Sequence, residues 1–311
     1  MPVPTIRFGL QAGLETDPHA WLDLARRAEA AGFDTLYVAD HPGTTASPFA
    51  ALAAAAGVTS TLKLGTYVLN VGVRDPLSIA SDAATVDVIS NGRVVLGLGA
   101  GHTPAEWTMI GLDYPSAGAR VGRLAETAGV VRRLLAGEVV THHGPHLQMD
   151  AAYLSVSRPV QETVPLLIGG NGLHVVGLGG RVAEIVSLTG TGRTLADGHR
   201  HEVDWSADAI SERVERVRAA APADGRPVLD ALVQHLAITD DRAAAAEQVA
   251  AHVEGATAAD VLGAPFVLLG TLDEIATEIV AHHARWGFAS YVVRPSAFDA
   301  AAALIDHLRR A

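Results

Sequence analysis

Short apolar runs alternate with stretches of helical periodicity along the N-terminal third of the chain. The runs at 5–11, 35–39, 63–70 and 94–101 predict strands, and the stretches between them carry apolar side chains at helical spacing. Buried parallel strands joined by helical crossovers produce this alternation. We therefore expect an α/β fold built on a parallel sheet.

The same alternation continues to the C-terminus, with interruptions. Further apolar runs that predict strands lie at 165–168, 183–188, 228–238 and 289–293. About eight strands alternating with helices favour a (β/α)8 TIM barrel with insertions over an open doubly wound sheet. Residues 1–311 are expected to form one domain. The insertions into the barrel are placed at about 103–119, 139–160 and 189–204.

Polar residues collect where the predicted strands end, which is the catalytic edge of a barrel. Gln11 ends the first strand, Asp40 and His41 follow the second, and His102 and Glu106 follow the fourth. His41 would exchange a proton near neutral pH, and Asp40 would either orient its imidazole or cap the next segment. His102 or Glu106 would assist from the same pocket.

The strand predicted at 94–101 ends in a glycine-rich stretch. Gly97, Gly99 and Gly101 suggest a nucleotide-binding loop, but the third glycine of the dinucleotide fingerprint would fall at His102. The stretch also lacks a Walker lysine, so we do not assign phosphate binding to it. The alternative is that these glycines allow close packing inside the barrel.

A second glycine-rich stretch, Gly169-Gly170-Asn171-Gly172, lies between a buried strand and a helix. Free amides at a helix N-terminus bind phosphate, and barrels place such sites at strand–helix junctions on the catalytic face. We therefore predict phosphate binding here, with an ordinary tight turn as the alternative.

Composition narrows the classes of function. The net charge of −11, without a basic patch, argues against nucleic-acid binding. The absence of cysteine excludes disulfides, thiolate catalysis and cysteine-based zinc sites. No apolar run is long enough to span a membrane and no signal peptide is visible, so we expect a cytoplasmic protein. Lys63 as the single lysine, among many Arg and Ala, suggests a GC-rich, actinobacterial genome.

No metal site is expected. His142 and His143 lie in a predicted hairpin, where strand alternation turns neighbouring side chains to opposite faces. Other titratable residues expected to be ordinary solvated groups are Asp87, Glu126, His199, His201, His282 and His283.

Several segments together resemble the luciferase-like monooxygenase superfamily. They are 28–41, 64–68, 87–101, 158–161, 168–172 and 270–274. The resemblance covers most of the chain and implies a barrel with a cofactor at its C-terminal face. The Gly-x-Gly-Ala-Gly start at 97–101, followed by Glu106, is more similar to the branch that uses the deazaflavin coenzyme F420 than to the light-emitting FMN branch.

The resemblance also implies where a deazaflavin would bind. A non-prolyl cis peptide would fall at Tyr67–Val68, and the strand bulge at this bond would back the deazaflavin ring. Gly99 and Gly101 would form a floor beneath that ring. Gln11 and Trp107 would contact the substrate. The cofactor-binding residues implied in this way are Tyr67, Val68, Leu69, Asn70, Gly99, Gly101, Gly169, Gly170, Asn171 and Gly172.

The activity implied is hydride transfer between coenzyme F420 and a small organic substrate, either a C=C, C=N or C=O bond or a secondary alcohol. Sugar-phosphate dehydrogenases of this branch carry an acidic residue where this chain has His102, so we expect a different substrate. The alternatives are an FMN-dependent monooxygenase that uses reduced flavin and O2, and a non-catalytic F420- or flavin-binding protein. The resemblance further suggests a homodimer, with no nucleic-acid or membrane partner.

Overall fold

The computed structural model describes residues 5–14, 17–156, 158–192, 203–223, 225–253 and 256–310. Its strands are β1 (Arg7–Ala12), β2 (Thr35–Val38), β3 (Lys63–Thr66), β4 (Leu69–Asn70), β5 (Val94–Gly99), β6 (Val140–His143), β7 (Gln148–Ala152), β8 (Leu166–Gly169), β9 (Ile185–Leu188), β10 (Val228–Leu232), β11 (His235–Ile238), β12 (Val267–Gly270) and β13 (Phe288–Val293).

Its helices are α1 (Pro18–Ala31), α2 (Pro48–Ala56), α3 (Pro76–Ser90), α4 (Pro104–Met109), α5 (Ala117–Leu135), α6 (Leu173–Val182), α7 (Ala207–Ala220), α8 (Arg242–Ala250), α9 (Ala258–Gly263), α10 (Leu272–Trp286) and α11 (Phe298–Arg310). In this described part of the chain, no helix combines the length and the apolar character needed to cross a membrane.

The main sheet closes into a parallel barrel. Its nine segments run in the order β3-β2-β1-β13-β10-β9-β8-β5-β4, and a further β3–β5 pairing closes the circle. Since β3 and β4 are two parts of one strand, the barrel has eight strands. The predicted (β/α)8 barrel is therefore confirmed.

Helix ends follow the cap residues that the sequence carries. Asp17 accepts a hydrogen bond from the backbone N–H of His19 at 2.8 Å, and Pro18 begins α1. Thr271 and Glu274 form the predicted capping box of α10. These local signals fix where the helices start between barrel strands.

Alternation along the strands separates two cores. One face of each strand packs against the helices, and the other face fills the barrel interior. The buried residues of the interior cluster are Tyr37, Tyr67, Val95, Leu167, Leu232 and Val292. This cluster is the base on which the C-terminal mouth of the barrel is built.

Two predicted strands are interrupted. The strand predicted at 63–70 breaks into β3 and β4 at a cis peptide between Tyr67 and Val68, as the resemblance implied. The strand predicted at 228–238 breaks near Gln234, whose backbone N–H donates to Phe266 O at 2.7 Å. As a result β11 leaves the barrel and pairs with β12.

The insertions contain regular structure where they are described. Residues 139–160 include the predicted hairpin, formed by β6 and β7 as an antiparallel pair. Residues 103–119 include α4 and the start of α5. The insertion at 189–204 falls largely outside the described residues, as do His199 and His201.

Two residues expected in solvent are buried. Asp87 is fully buried in α3, a helix that packs against α2, α5 and β5. Its carboxylate accepts the backbone N–H groups of Val160 at 2.7 Å and Gln161 at 3.1 Å. His282 is 2% exposed and lies 3.2 Å from the carbonyl of Gly263 through Nε2. The solvated assignments of Asp87 and His282 were therefore wrong.

Glu126 is also not a free surface group. Its Oε2 lies 3.0 Å from His142 Nε2, and its side chain is 15% exposed. It also accepts the backbone N–H of His146, so it ties α5 to the β6–β7 hairpin. The described residues contain no cluster of three or more metal-ligating side chains.

Candidate active site

Asp40 and His41 follow β2 and point in different directions. Asp40 is 3% exposed, and its two oxygens accept from Arg74 Nε and Nη2 at 2.7 Å each. One of them also accepts the backbone N–H of Asn70 at 3.2 Å. The expectation that Asp40 orients the His41 ring is wrong, because neighbouring side chains at a strand end turn to opposite faces. Asp40 instead joins the end of β2 to the loop after β4.

Glu106 is the carboxylate that holds His41. Its Oε1 lies 2.7 Å from His41 Nδ1, and its Oε2 accepts from Asn70 Nδ2 at 2.6 Å. The Glu106 side chain is 5% exposed, whereas that of His41 is 40% exposed. The pair therefore has a buried carboxylate and an imidazole that reaches solvent.

The two partners shift one another's pKa. The hydrogen bond to Glu106 raises the pKa of His41 and outweighs the opposing effect of burial. Burial acts to raise the pKa of Glu106, but hydrogen bonds from His41 and Asn70 outweigh it, so this pKa lies below its usual value. The geometry thus favours an imidazolium–carboxylate pair.

The local sequence explains how Glu106 comes under the ring. Gly101 has a φ of +74°, which turns the chain after β5, and Pro104 begins α4. Glu106 falls in the first turn of this short helix, where a negative charge is favoured. Together these place the carboxylate beneath the loop that carries His41.

Gly99 and Gly101 do not present an open floor. A Cβ on Gly99 would lie 2.5 Å from Cγ2 of Val68, and a Cβ on Gly101 would lie 2.0 Å from Oδ1 of Asn70. The expected floor role is therefore corrected. These glycines make room for the residues of the bulge. The Val68 side chain rests on the surface formed by Gly97, Gly99 and Gly169, which we call the glycine surface.

Val68 lies at the centre of that glycine surface. Cβ atoms built on Gly97, Gly99 and Gly169 would each meet a methyl group of Val68 within 3.2 Å. Leu69, by contrast, is fully buried in the outer core, so it cannot contact a ligand directly as expected. Only Val68 of this pair is partly exposed, so a ligand at the mouth of the barrel could reach it.

Gln11 and Trp107 take supporting positions. Gln11 is half-buried, and its Nε2 donates to the carbonyl of Tyr67 at 3.0 Å, which braces the bulge. Trp107 is 3% exposed and fills the space above Gly72. The expectation that Trp107 contacts substrate is wrong, because its ring is buried against Gly72.

His102 lies beside His41 at the edge of the site. The two rings meet edge to face with centroids 5.9 Å apart. The hydroxyl of Tyr114 donates to the carbonyl of His102 at 3.0 Å, and the Tyr114 ring stands edge-on to Trp107. His102 is exposed, and its predicted role at the rim of a ligand pocket stays a prediction.

The predicted phosphate loop leaves polar atoms open. Gly172 precedes α6 without a capping side chain among the described residues, and a Cβ placed there would meet nothing within 4 Å. Asn171 is 7% exposed, and its Oδ1 has no hydrogen-bond partner in the described part of the chain. The backbone N–H groups at this helix N-terminus suit an oxyanion, whereas Asn171 Oδ1 is an acceptor and would need a donor.

A polar cluster beneath the bulge was not predicted. Tyr67 donates its hydroxyl to Asp230 Oδ1 at 2.8 Å and also contacts the hydroxyl of Ser187. Burial raises the pKa of Asp230 and of Tyr67. Arg74 was missed as well, although a lone basic residue before the Asp75-Pro76 helix start was visible. The cluster could not be predicted because its members come from separate strands, and no local sequence pattern shows which of their side chains meet inside the barrel.

A closed parallel barrel with a histidine–carboxylate pair and an anion-suited loop at its C-terminal mouth has the layout of a barrel enzyme. The chain belongs to the luciferase-like monooxygenase family, whose model matches residues 4–287.

Among curated proteins, the chain is 37% identical over 193 residues to an F420-dependent glucose-6-phosphate dehydrogenase of Microbacterium testaceum. That match covers 59% of this chain and 56% of the relative, so it spans little more than half the length of that protein.

Solved structures share the fold at low identity. The coenzyme F420 dependent tetrahydromethanopterin reductase from Methanopyrus kandleri superposes with a TM-score of 0.75 at 22% identity, covering 96% of this chain and 97% of that one. A riboflavin lyase with modified FMN and riboflavin gives a TM-score of 0.77 at 19% identity, covering 98% and 91%.

Proposed function

We propose that this protein is a coenzyme F420-dependent oxidoreductase that transfers a hydride between the deazaflavin and a small organic substrate. The observation that carries the proposal is the His41–Glu106 pair at the mouth of the barrel, which shares that mouth with the loop at 169–172. The F420-dependent relative from Microbacterium testaceum supports the choice of cofactor.

The residues present fit this cofactor. The backbone N–H groups around Gly172, where space is open, would hold the phosphate. Val68 would back the ring from the glycine surface. When bound, coenzyme F420 would supply or accept the hydride.

His41 would exchange the proton that accompanies the hydride. Ionised Glu106 accepts from Nδ1, which leaves Nε2 as the imidazole atom free to meet a substrate oxygen or carbon. Because the pKa of His41 is raised, the imidazolium persists toward neutral pH and can donate. Asp40 and Arg74 keep the end of β2 in position.

Two variants test the cofactor site through charge alone. Gly172→Asp and Gly172→Asn add side chains of equal size where space is open, but only the first adds a negative charge beside the helix N-terminus. We expect F420 fluorescence quenching to show affinity reduced roughly tenfold more by Asp than by Asn. Equal F420 affinities of the two variants would show that the loop at 169–172 does not bind the cofactor.

His41→Asn tests the proton role, with His143→Asn on the exposed hairpin as the matched control. We expect turnover to fall by about 10²–10⁴-fold only in the first, with F420 affinity retained. Unchanged turnover would refute the role of His41.

The likeness to a riboflavin lyase with modified FMN keeps an FMN-dependent monooxygenase as the second candidate. Titration with both cofactors decides, since binding of FMN alone would reject F420. Binding of F420 without turnover of enones, imines or alcohols would instead indicate a non-catalytic binding protein. The homodimer and the cytoplasmic location stay predictions.

A further inference from the structure

Arg294 directly follows β13. This strand lies across the barrel from β5, which carries two of the three glycines of the glycine surface. Val292, two residues earlier, belongs to the interior cluster, so alternation directs Arg294 inward at the mouth. Leu10 pairs with Val293, which puts Gln11 at the level of Arg294 on the neighbouring strand.

Arg294 is held by a chain of neutral groups. Its Nη1 donates to Gln234 Oε1 at 3.0 Å, and Gln234 Nε2 donates to the carbonyl of Thr189 at 2.8 Å. Leu232 is an interior residue, so Gln234 also faces inward. The guanidinium is thus oriented by one neutral side chain, Gln234, which does not neutralise its charge.

Nothing on the described strands neutralises this cation. No described carboxylate lies within ion-pair distance of Arg294. Asp230, an acid inside the barrel, accepts a hydrogen bond from Tyr67 instead. Burial raises the pKa of Asp230 and so favours its neutral form, and burial lowers the pKa of Arg294. The partly buried Arg294 side chain still reaches solvent, and its described hydrogen bond is to the neutral Gln234, so the guanidinium suits a planar anion.

We propose that Arg294, positioned by Gln234, binds a carboxylate group of the substrate at the mouth of the barrel. The proposal rests on the proposed function, and it adds that the substrate is a monoanionic organic acid.

A carboxylate is favoured over a phosphate by the charge available. At the level of Arg294, the side chains near the ends of the two neighbouring strands are Gln11 and Gln234, which are both neutral. One guanidinium balances one negative charge, and the net charge of −11 repels a dianion. The guanidinium fork also matches the two oxygens of a carboxylate.

The test compares acids with their methyl esters. Levulinate, benzoate and cyclohexanecarboxylate, each paired with its ester, are titrated calorimetrically into the full-length protein with and without F420. Arg294→Gln is compared with Arg7→Gln, which removes the same charge from the opposite end of the adjacent strand β1. Inorganic phosphate is titrated as a separate arm.

We expect the native protein to prefer at least one acid over its ester. Arg294→Gln should weaken that acid by about 10- to 100-fold, without affecting the ester or F420, and Arg7→Gln should leave all three unchanged. Equal binding of every acid and ester, or no loss in Arg294→Gln, would overturn the proposal.

The other outcomes are also decisive. Tighter, Arg294-dependent binding of phosphate would replace the carboxylate with a phosphate group. Loss of F420 affinity in Arg294→Gln would assign the side chain to the cofactor and overturn the substrate role. If native protein fails to bind F420, the proposed function falls, while the acid–ester comparison still decides the subsite.

Discussion

Replacing Glu106 by Gln should lower the pKa of His41 toward its ordinary value of about 6.5. The variant keeps the size of the side chain and an oxygen for Asn70, but removes the negative charge 2.7 Å from His41 Nδ1. An amide can no longer accept a charge-assisted hydrogen bond of the same strength.

The size of the effect follows from exposure. A hydrogen bond to a charged group contributes roughly 1.5–3 kcal/mol. Because the His41 side chain is 40% exposed, solvent screening reduces this, and we expect about 1 kcal/mol. The raised pKa of His41 means that this stabilisation is fully present below the unfolded pKa and is lost as pH rises through the folded pKa.

The assay is a proton NMR titration of the His41 ring, together with urea unfolding at about pH 5.5 and about pH 9. The stability difference between native protein and Glu106→Gln should be larger at the lower pH. Glu126→Gln is the matched control, since it alters the separate pair with His142 and should leave His41 unchanged. An unaltered His41 pKa in Glu106→Gln would refute the coupling.

Four further substitutions test the support of the site by chemical denaturation. Arg74→Gln leaves the buried Asp40 without its cation and should cost roughly 3–5 kcal/mol, whereas a loss below 1 kcal/mol would contradict the buried ion pair. Gly101→Ala should destabilise the protein, because the φ of Gly101 is +74°. Gly129→Ala, in open space within α5, should stabilise it by roughly 1 kcal/mol. A Gly101→Ala variant more stable than Gly129→Ala would contradict backbone strain at Gly101. Asp87→Ala should cost at least 2 kcal/mol by leaving buried N–H groups unpaired, and a neutral effect would show that water replaces the carboxylate.

The fold was largely predictable because each barrel strand is a local signal. Runs such as 94–99 are apolar on both faces, and helix starts such as Asp17-Pro18 carry their own caps. The separate strand β12 was not predicted. Its pairing partner β11 lies beyond the point where the strand predicted at 228–238 leaves the barrel, and only the three-dimensional path of that segment creates the pair.

The members of the site were easier to predict than their pairings. His41 and Glu106 stood out because they follow strand ends, but 65 positions separate them in the chain. Sequence proximity suggested Asp40 as the partner of His41, whereas alternation at the strand end turns Asp40 toward Arg74. Adjacent residues after a strand are therefore poor candidates for a hydrogen-bonded pair.

The glycines illustrate the same limit. Gly97, Gly99 and Gly169 come from two strands, and each lacks a side chain where Val68 packs. Sequence alone shows only that side chains are missing, and a missing side chain can admit either a ligand or another part of the chain. Because Val68 fills this space, a planar cofactor would rest on its methyl groups rather than on the glycine backbone. Substitutions at Val68 should therefore change cofactor affinity through shape, while those at Gly99 would act first on the bulge.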